Sequence, residues 1–153
     1  MRYVVVGGVA TVLHGHARLT ADVDLVIDLE PAACRRALDV LGSLGLEPRL
    51  PVDAMDFADP AVRRRWIEEK GMRVFSLIDP NNPLRSVDLF TEPVLDFEEL
   101  WSGAEVIPLR ETAVRIASIP HLIELKRLAG RPKDLDDIAR LEEIQRRKEE
   151  QGG

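Results

Sequence analysis

The sequence holds one cysteine, Cys34, among its 153 residues. A lone cysteine closes no internal disulfide and has no metal-ligand spacing, so a reducing cytosol is the expected compartment. An excess of positive charge is missing as well. The formal charge of −6 excludes a broad basic footprint for duplex DNA, although it leaves room for a local contact with RNA. Long apolar runs are absent too, since none approaches the roughly 20 residues that span a bilayer. The uncharged stretch Tyr3 to Leu13 resembles a signal-peptide core at first sight. Gly7-Gly8 interrupts it, however, and no small-x-small cleavage site follows, so the sequence reads as soluble, cytoplasmic and without a membrane partner.

What remains is an ordinary globular composition, 45% apolar and 31% charged, at a length typical of one domain. Tyr3 to Val6 is a short β-branched run that ends at Gly7-Gly8, a buried strand entering a tight turn. Val9 to His14 reads as a short helix stopped by Gly15, and Val23 to Ile27 as a second strand. Ala32 to Leu44 carries apolar residues at helical spacing, whereas Leu46 to Val52 is too rich in proline for a central strand. Asp59 to Lys70 is helical, with Val62, Trp66 and Ile67 facing inward. The run Arg63-Arg64-Arg65 is read as a solvated face or, less simply, an RNA-contacting edge. Met72 to Ile78 and Ser86 to Thr91 are strands joined by a turn over Asp79 to Pro83. Val106 to Leu109 and Ala113 to Ala117 form a hairpin around Arg110-Glu111. Helices Ile119 to Ala129 and Lys133 to Lys148 finish the chain, parted by Gly130 and Pro132. The expected fold class is α/β (α+β), one domain over 1–153. Its mixed sheet spans about residues 1–117 and its helical end about 118–150.

The most informative stretch is Gly7 to Asp28. Side chains alternate along a strand, so Asp22 and Asp24 project from one face, roughly 7 Å apart, while Val23, Leu25 and Ile27 take the other. Two like charges on one strand face repel unless a cation lies between them, and all-oxygen ligands suit Mg²⁺ or Mn²⁺. The plainer reading is a solvated edge strand. Upstream, Gly7 and Gly8 would let backbone amides approach phosphate oxygens with no Cβ in the way. Arg18 and Thr20 supply a cation and a hydroxyl just ahead of the carboxylates. Each of these has an ordinary explanation alone; in this order they form a phosphate-then-metal series.

Taken together, G-G-x-A-x-x-x-H-G-x-x-R-x-T-x-D-x-D resembles the signature of the polymerase-β-like nucleotidyltransferase superfamily, in its minimal bacterial AbiEii/MNT-type branch of toxin–antitoxin and phage-defence proteins. The resemblance runs from Tyr3 through the C-terminal helices. Members commonly carry a helix ahead of that first strand, and this sequence opens at the strand. The resemblance implies a nucleotidyltransferase fold in which Asp22 and Asp24 hold two metal ions with a third carboxylate. Asp88 is the candidate for the third, because it interrupts the apolar strand Ser86-Val-Asp-Leu-Phe90, where a carboxylate needs a polar cleft or a cation. Asp79 and Glu92 sit beside prolines in turns. In the family the third carboxylate also accepts or orients the proton of the attacking hydroxyl.

At the C-terminal end, Ile119, Leu122, Ile123, Lys126 and Ala129 fall on one helical stripe, so Lys126 lies on the apolar face. A lysine there either faces an anion or covers core with its stem while the head reaches water. The run Leu-Lys followed by Gly-Arg-Pro-Lys-Asp resembles the family's C-terminal motifs, which implies that Lys126 contacts the triphosphate and an aspartate follows, with Arg131, Lys133 and Asp134 as weaker candidates. His14 matches the family's His-Gly position and would line the nucleotide pocket; it would equally serve the dipole of the helix it ends. His16 reads as solvated. Asp134, Asp136 and Asp137 are accounted for by the first turn of the last helix.

The expected activity is Mg-dependent transfer of a nucleoside monophosphate from a triphosphate to an acceptor hydroxyl on a protein or an RNA such as tRNA, with a cognate toxin or antitoxin as a further partner. The alternatives are a non-catalytic nucleotide-binding or antitoxin-like module, and a small-molecule (antibiotic) nucleotidyltransferase.

Overall fold

A computed structural model describes residues 1–18, 20 and 22–152. Strand β1 (Tyr3–Val6) runs straight into helix α1 (Gly7–Leu13), and β2 (Val23–Ile27) returns antiparallel beside β1. Helix α2 (Pro31–Ser43) follows, its first amides capped by the Glu30 carboxylate. The chain then forms β3 (Glu47–Pro48), a short 3₁₀ helix over Ala54–Ala58, and α3 (Pro60–Lys70). Asp59 caps α3, and Gly71, at φ 61°, ends it in the left-handed region that glycine adopts without a Cβ clash. Strands β4 (Val74–Asp79) and β5 (Asn82–Phe90) form a long hairpin. Helix α4 (Phe97–Gly103) leads to a second hairpin, β6 (Glu105–Leu109) and β7 (Thr112–Ile116), and α5 (Ile119–Ala129) and α6 (Pro132–Gly152) complete the fold.

The strands form one mixed sheet in the order β3-β4-β5-β2-β1-β7-β6, flanked by helices α1 to α6, so the chain is of the α+β class. The β2·β5 and β1·β7 pairs are parallel and the rest antiparallel. The core is continuous from Val4, Val5 and Val6 through Leu25, Leu89 and Phe75 to Leu122 and Leu141. Phe57 and Trp66 each stack on Phe75 with ring centroids 5.2 Å apart, which fixes the 3₁₀ helix and α3 over one face of the sheet. Among the described residues no helix is long and apolar enough to cross a membrane.

Several sequence-based boundaries shift. α1 begins at Gly7 and not Val9, because Gly7, at φ 69°, makes the strand-to-helix corner itself. The turn between β4 and β5 is two residues, Pro80-Asn81, and β5 takes in Pro83. Proline fits there because β5 meets β2 only over Val87–Leu89, so its outer edge at Pro83 needs no donor. The proline-rich segment after Leu46 contributes only β3, at the sheet's edge. Helix α4 and the 3₁₀ helix were not expected at all. Arg63 is buried, not solvated: its guanidinium donates to the Phe57 and Leu29 carbonyls, while Arg64 and Arg65 stay exposed.

Candidate functional site

Asp24 and Asp88 occupy the same register position on the adjacent parallel strands β2 and β5. Paired residues in a ladder face the same way, so both carboxylates leave one face of the sheet, opposite Leu25 and Leu89. Asp22 lies one residue ahead of β2 and is exposed. Two serines extend the constellation. Ser76 on β4 pairs with Asp88, and its hydroxyl donates to Asp88 Oδ1 at 2.6 Å. Ser86, two residues before Asp88 and nearly buried, donates to Asp22 Oδ1 at 2.5 Å. Each outer carboxylate therefore has one oxygen held by a hydroxyl.

The glycine pair meets this group directly. A Cβ on Gly7 would overlap the Asp24 Oδ2 and come within 3.0 Å of its Cγ. A Cβ on Gly8 would overlap the Thr20 hydroxyl and lie 3.1 Å from an Arg18 terminal nitrogen. The glycines thus make room for the side chains of Asp24, Thr20 and Arg18, and the backbone corner is packed against Asp24. Burial pushes the Asp24 carboxyl up to about 6; the charges of Asp88 and Asp22 push the same way, while Arg131 and Lys126 pull it back. A carboxyl group whose proton affinity is raised beside two further carboxylates, with only oxygen donors, fits a hard divalent cation such as Mg²⁺.

The basic residues gather beside them through Asp137. Lys126 is buried, and its Nζ donates to Asp137 Oδ2 at 2.9 Å. An Arg18 terminal nitrogen donates to the same oxygen at 3.0 Å. His16, expected to be solvated, is only 12% exposed and places Nε2 3.3 Å from Asp137 Oδ1. Lys126 therefore does not reach water along its stem; its ammonium is held inside. Arg131 is anchored through Nε to the buried Asp134 at 2.8 Å, its side chain 60% exposed and close enough to act on Asp24. Lys133 is exposed at the start of α6. Asp134 and Asp137, read from the sequence as dipole-compensating surface acids, are buried ion-pair partners. The signal was present: 134, 137, 138 and 141 repeat at helical spacing with Ile138 and Leu141, the test that singled out Lys126.

His14 stands apart. Its side chain is fully enclosed, Nε2 donates to the Ala117 carbonyl at 2.8 Å, and Nδ1 lies 3.2 Å from Glu105 Oε2. Burial lowers its pKa, opposed in part by Ala117 and Glu105. The ring ties α1 to the β6–β7 hairpin and not to the carboxylates. His16, Asp136 and Asp137 come close enough together to bracket an ion, but Asp137 already faces two permanent cations, which disfavours a third. Two cavities of about 220 and 430 Å³ lie at the C-terminal ends of β2 and β5, sharing Leu29, Glu92 and Pro93; none of the three carboxylates lines them.

Compared with protein-family models and with curated proteins, the chain matches none.

Proposed function

We propose that the protein is a metal-dependent nucleotidyltransferase that moves a nucleoside monophosphate from a triphosphate to an acceptor hydroxyl on a protein or RNA. The observation that carries this reading is the register of Asp24 beside Asp88, with Asp22 two residues upstream and Gly7 of the glycine corner packed against Asp24. Asp22, Asp24 and Asp88 would hold Mg²⁺ or Mn²⁺. Bound there, such ions would supply the positive charge that stabilises the attacking and leaving oxygens as negative charge develops on them.

The chain's own residues divide the remaining work. Asp88, with Oδ1 held by Ser76, has its second oxygen available to take the proton of the acceptor hydroxyl as that oxygen attacks the α-phosphorus. A new P–O ester bond forms, the bond from the α-phosphorus to the bridging oxygen breaks, and pyrophosphate leaves. Lys126, Arg18 and Arg131 supply fixed positive charge for the departing phosphates, Lys126 from a buried position where solvent screens it least. The Thr20 hydroxyl, seated over Gly8, adds a donor or acceptor on the same side.

Incubation with Mg²⁺, a cell extract and each triphosphate labelled at the α-phosphate tests this reading. Label should move to a macromolecule with the parent protein and stay in triphosphate with Asp24→Asn. Transfer that persists in Asp24→Asn would exclude the assignment.

A further inference from the structure

We infer that Asp137 is a positioning residue of the nucleotide site, holding Lys126 and Arg18 as one unit aimed at a triphosphate; this rests on the reading of the site given above. Asp137 stands on α6 with its side chain 3% exposed. Its Oδ2 accepts from Lys126 Nζ at 2.9 Å and from Arg18 at 3.0 Å. His16 Nε2 lies 3.3 Å from its Oδ1. Three basic side chains from two distant parts of the chain therefore converge on one carboxylate.

Neutralising a buried lysine needs one counter-charge, and Asp137 supplies it. A second permanent cation sits on the same oxygen, so one buried carboxylate fixes two positive groups at once. The pair lies close enough to the proposed metal site for Lys126 to act on Asp24. Arg18 also reaches the corner, a terminal nitrogen lying 3.1 Å from where a Cβ on Gly8 would sit. A carboxylate that pins both cations removes their rotamer freedom before a phosphate arrives, so less entropy is lost on binding. The expected ligand of the cluster is a polyphosphate chain.

Calorimetry with ATP, GTP, CTP and UTP in excess Mg²⁺ tests this on the full chain. Asp137→Asn should weaken the preferred triphosphate at least tenfold. In an Arg18→Gln/Lys126→Met background, adding Asp137→Asn should change the affinity no further, because the two groups it positions are gone. A purely structural Asp137 predicts a lower Tm with parent-like affinity, or a loss that persists in that background; either overturns the inference. If Asp137→Asn alone does not fold, Lys126→Met/Asp137→Asn, which removes the buried ammonium too, is compared with Lys126→Met. Severalfold weaker binding supports the inference through Arg18, and equal affinity overturns it. A parent protein that binds no triphosphate overturns the nucleotidyltransferase reading itself, whereas a binding parent indifferent to Asp137 overturns only this inference.

Discussion

Asp24 and Asp88 share a register position on neighbouring parallel strands, and between them they place two carboxyl groups on one sheet face beside a glycine corner. In the metal-free protein, burial of Asp24 beside these acids costs stability. The Asp24 carboxyl, raised to about 6 from 3.8 by burial and by Asp88 and Asp22, binds its proton more tightly folded than unfolded. Between about pH 4 and 6 the native state holds the extra proton, so Asp24's contribution falls as pH rises through that window and stays unfavourable above it. In EDTA, Asp24→Asn should therefore melt above the parent by a margin that grows from pH 4 to pH 7. Its size at pH 7 is on the order of 2 kcal/mol. Magnesium should raise the parent's Tm at pH 7.5 and lose that effect at pH 5, where the proton competes for the ligand. Thermal melts across pH, with and without Mg²⁺, give the answer; a constant margin would contradict the Asp24 environment described here.

Gly7→Ala should damage both backbone and site. The φ of 69° is strained for alanine, and the new Cβ displaces the Asp24 carboxylate. A loss of about 1–3 kcal/mol by denaturant unfolding, together with loss of the magnesium response, is expected. Gly45→Ala is the control: φ is 85°, but no atom lies within 4 Å of its Cβ. It should lose stability by strain alone and keep the response.

His14→Leu separates a tether from a pocket residue. Removing Nε2 leaves the Ala117 carbonyl without its donor, at a cost of about 1–3 kcal/mol. Triphosphate affinity measured below the lowered Tm should match the parent. A tenfold loss of affinity would return His14 to the nucleotide pocket, where the family resemblance puts it.

Ser76→Ala and Ser86→Ala each free one carboxylate oxygen that is now held by a hydroxyl. Partners of this kind typically change metal affinity or activity by about 10–100-fold. Manganese titrations should show weaker binding for both variants with little change in unfolding free energy. Parent-like titrations would mean that the serines merely line the strands.

Much of this was legible in the residues themselves. β1, β2 and α5 fall where alternation, helical period and capping put them, because Val4 to Val6, Val23 to Ile27 and the Ile119–Leu122–Ile123 stripe each obey one period clearly. Lys126's place on a buried stripe was likewise readable. What the sequence concealed were partners distant along the chain. Nothing near Asp137 announces that Arg18 arrives from 119 residues away, and nothing near His14 announces the Ala117 carbonyl. Short capped helices such as Phe97–Gly103, with Asp96 as its only strong signal, are too brief to show a period. The two serines carried no signal until the β4–β5 register set them beside their carboxylates.

The central claim is that Asp22, Asp24 and Asp88 bind a triphosphate through a divalent cation. Calorimetry of the parent and of Asp88→Asn, with ATP, GTP, CTP and UTP in Mg²⁺ and again in EDTA, tests it most directly. The account predicts that at least one triphosphate binds the parent in Mg²⁺, that EDTA abolishes the binding, and that Asp88→Asn weakens it at least tenfold in Mg²⁺. Equal affinity with and without the cation, or an Asp88→Asn protein that binds like the parent, would contradict it.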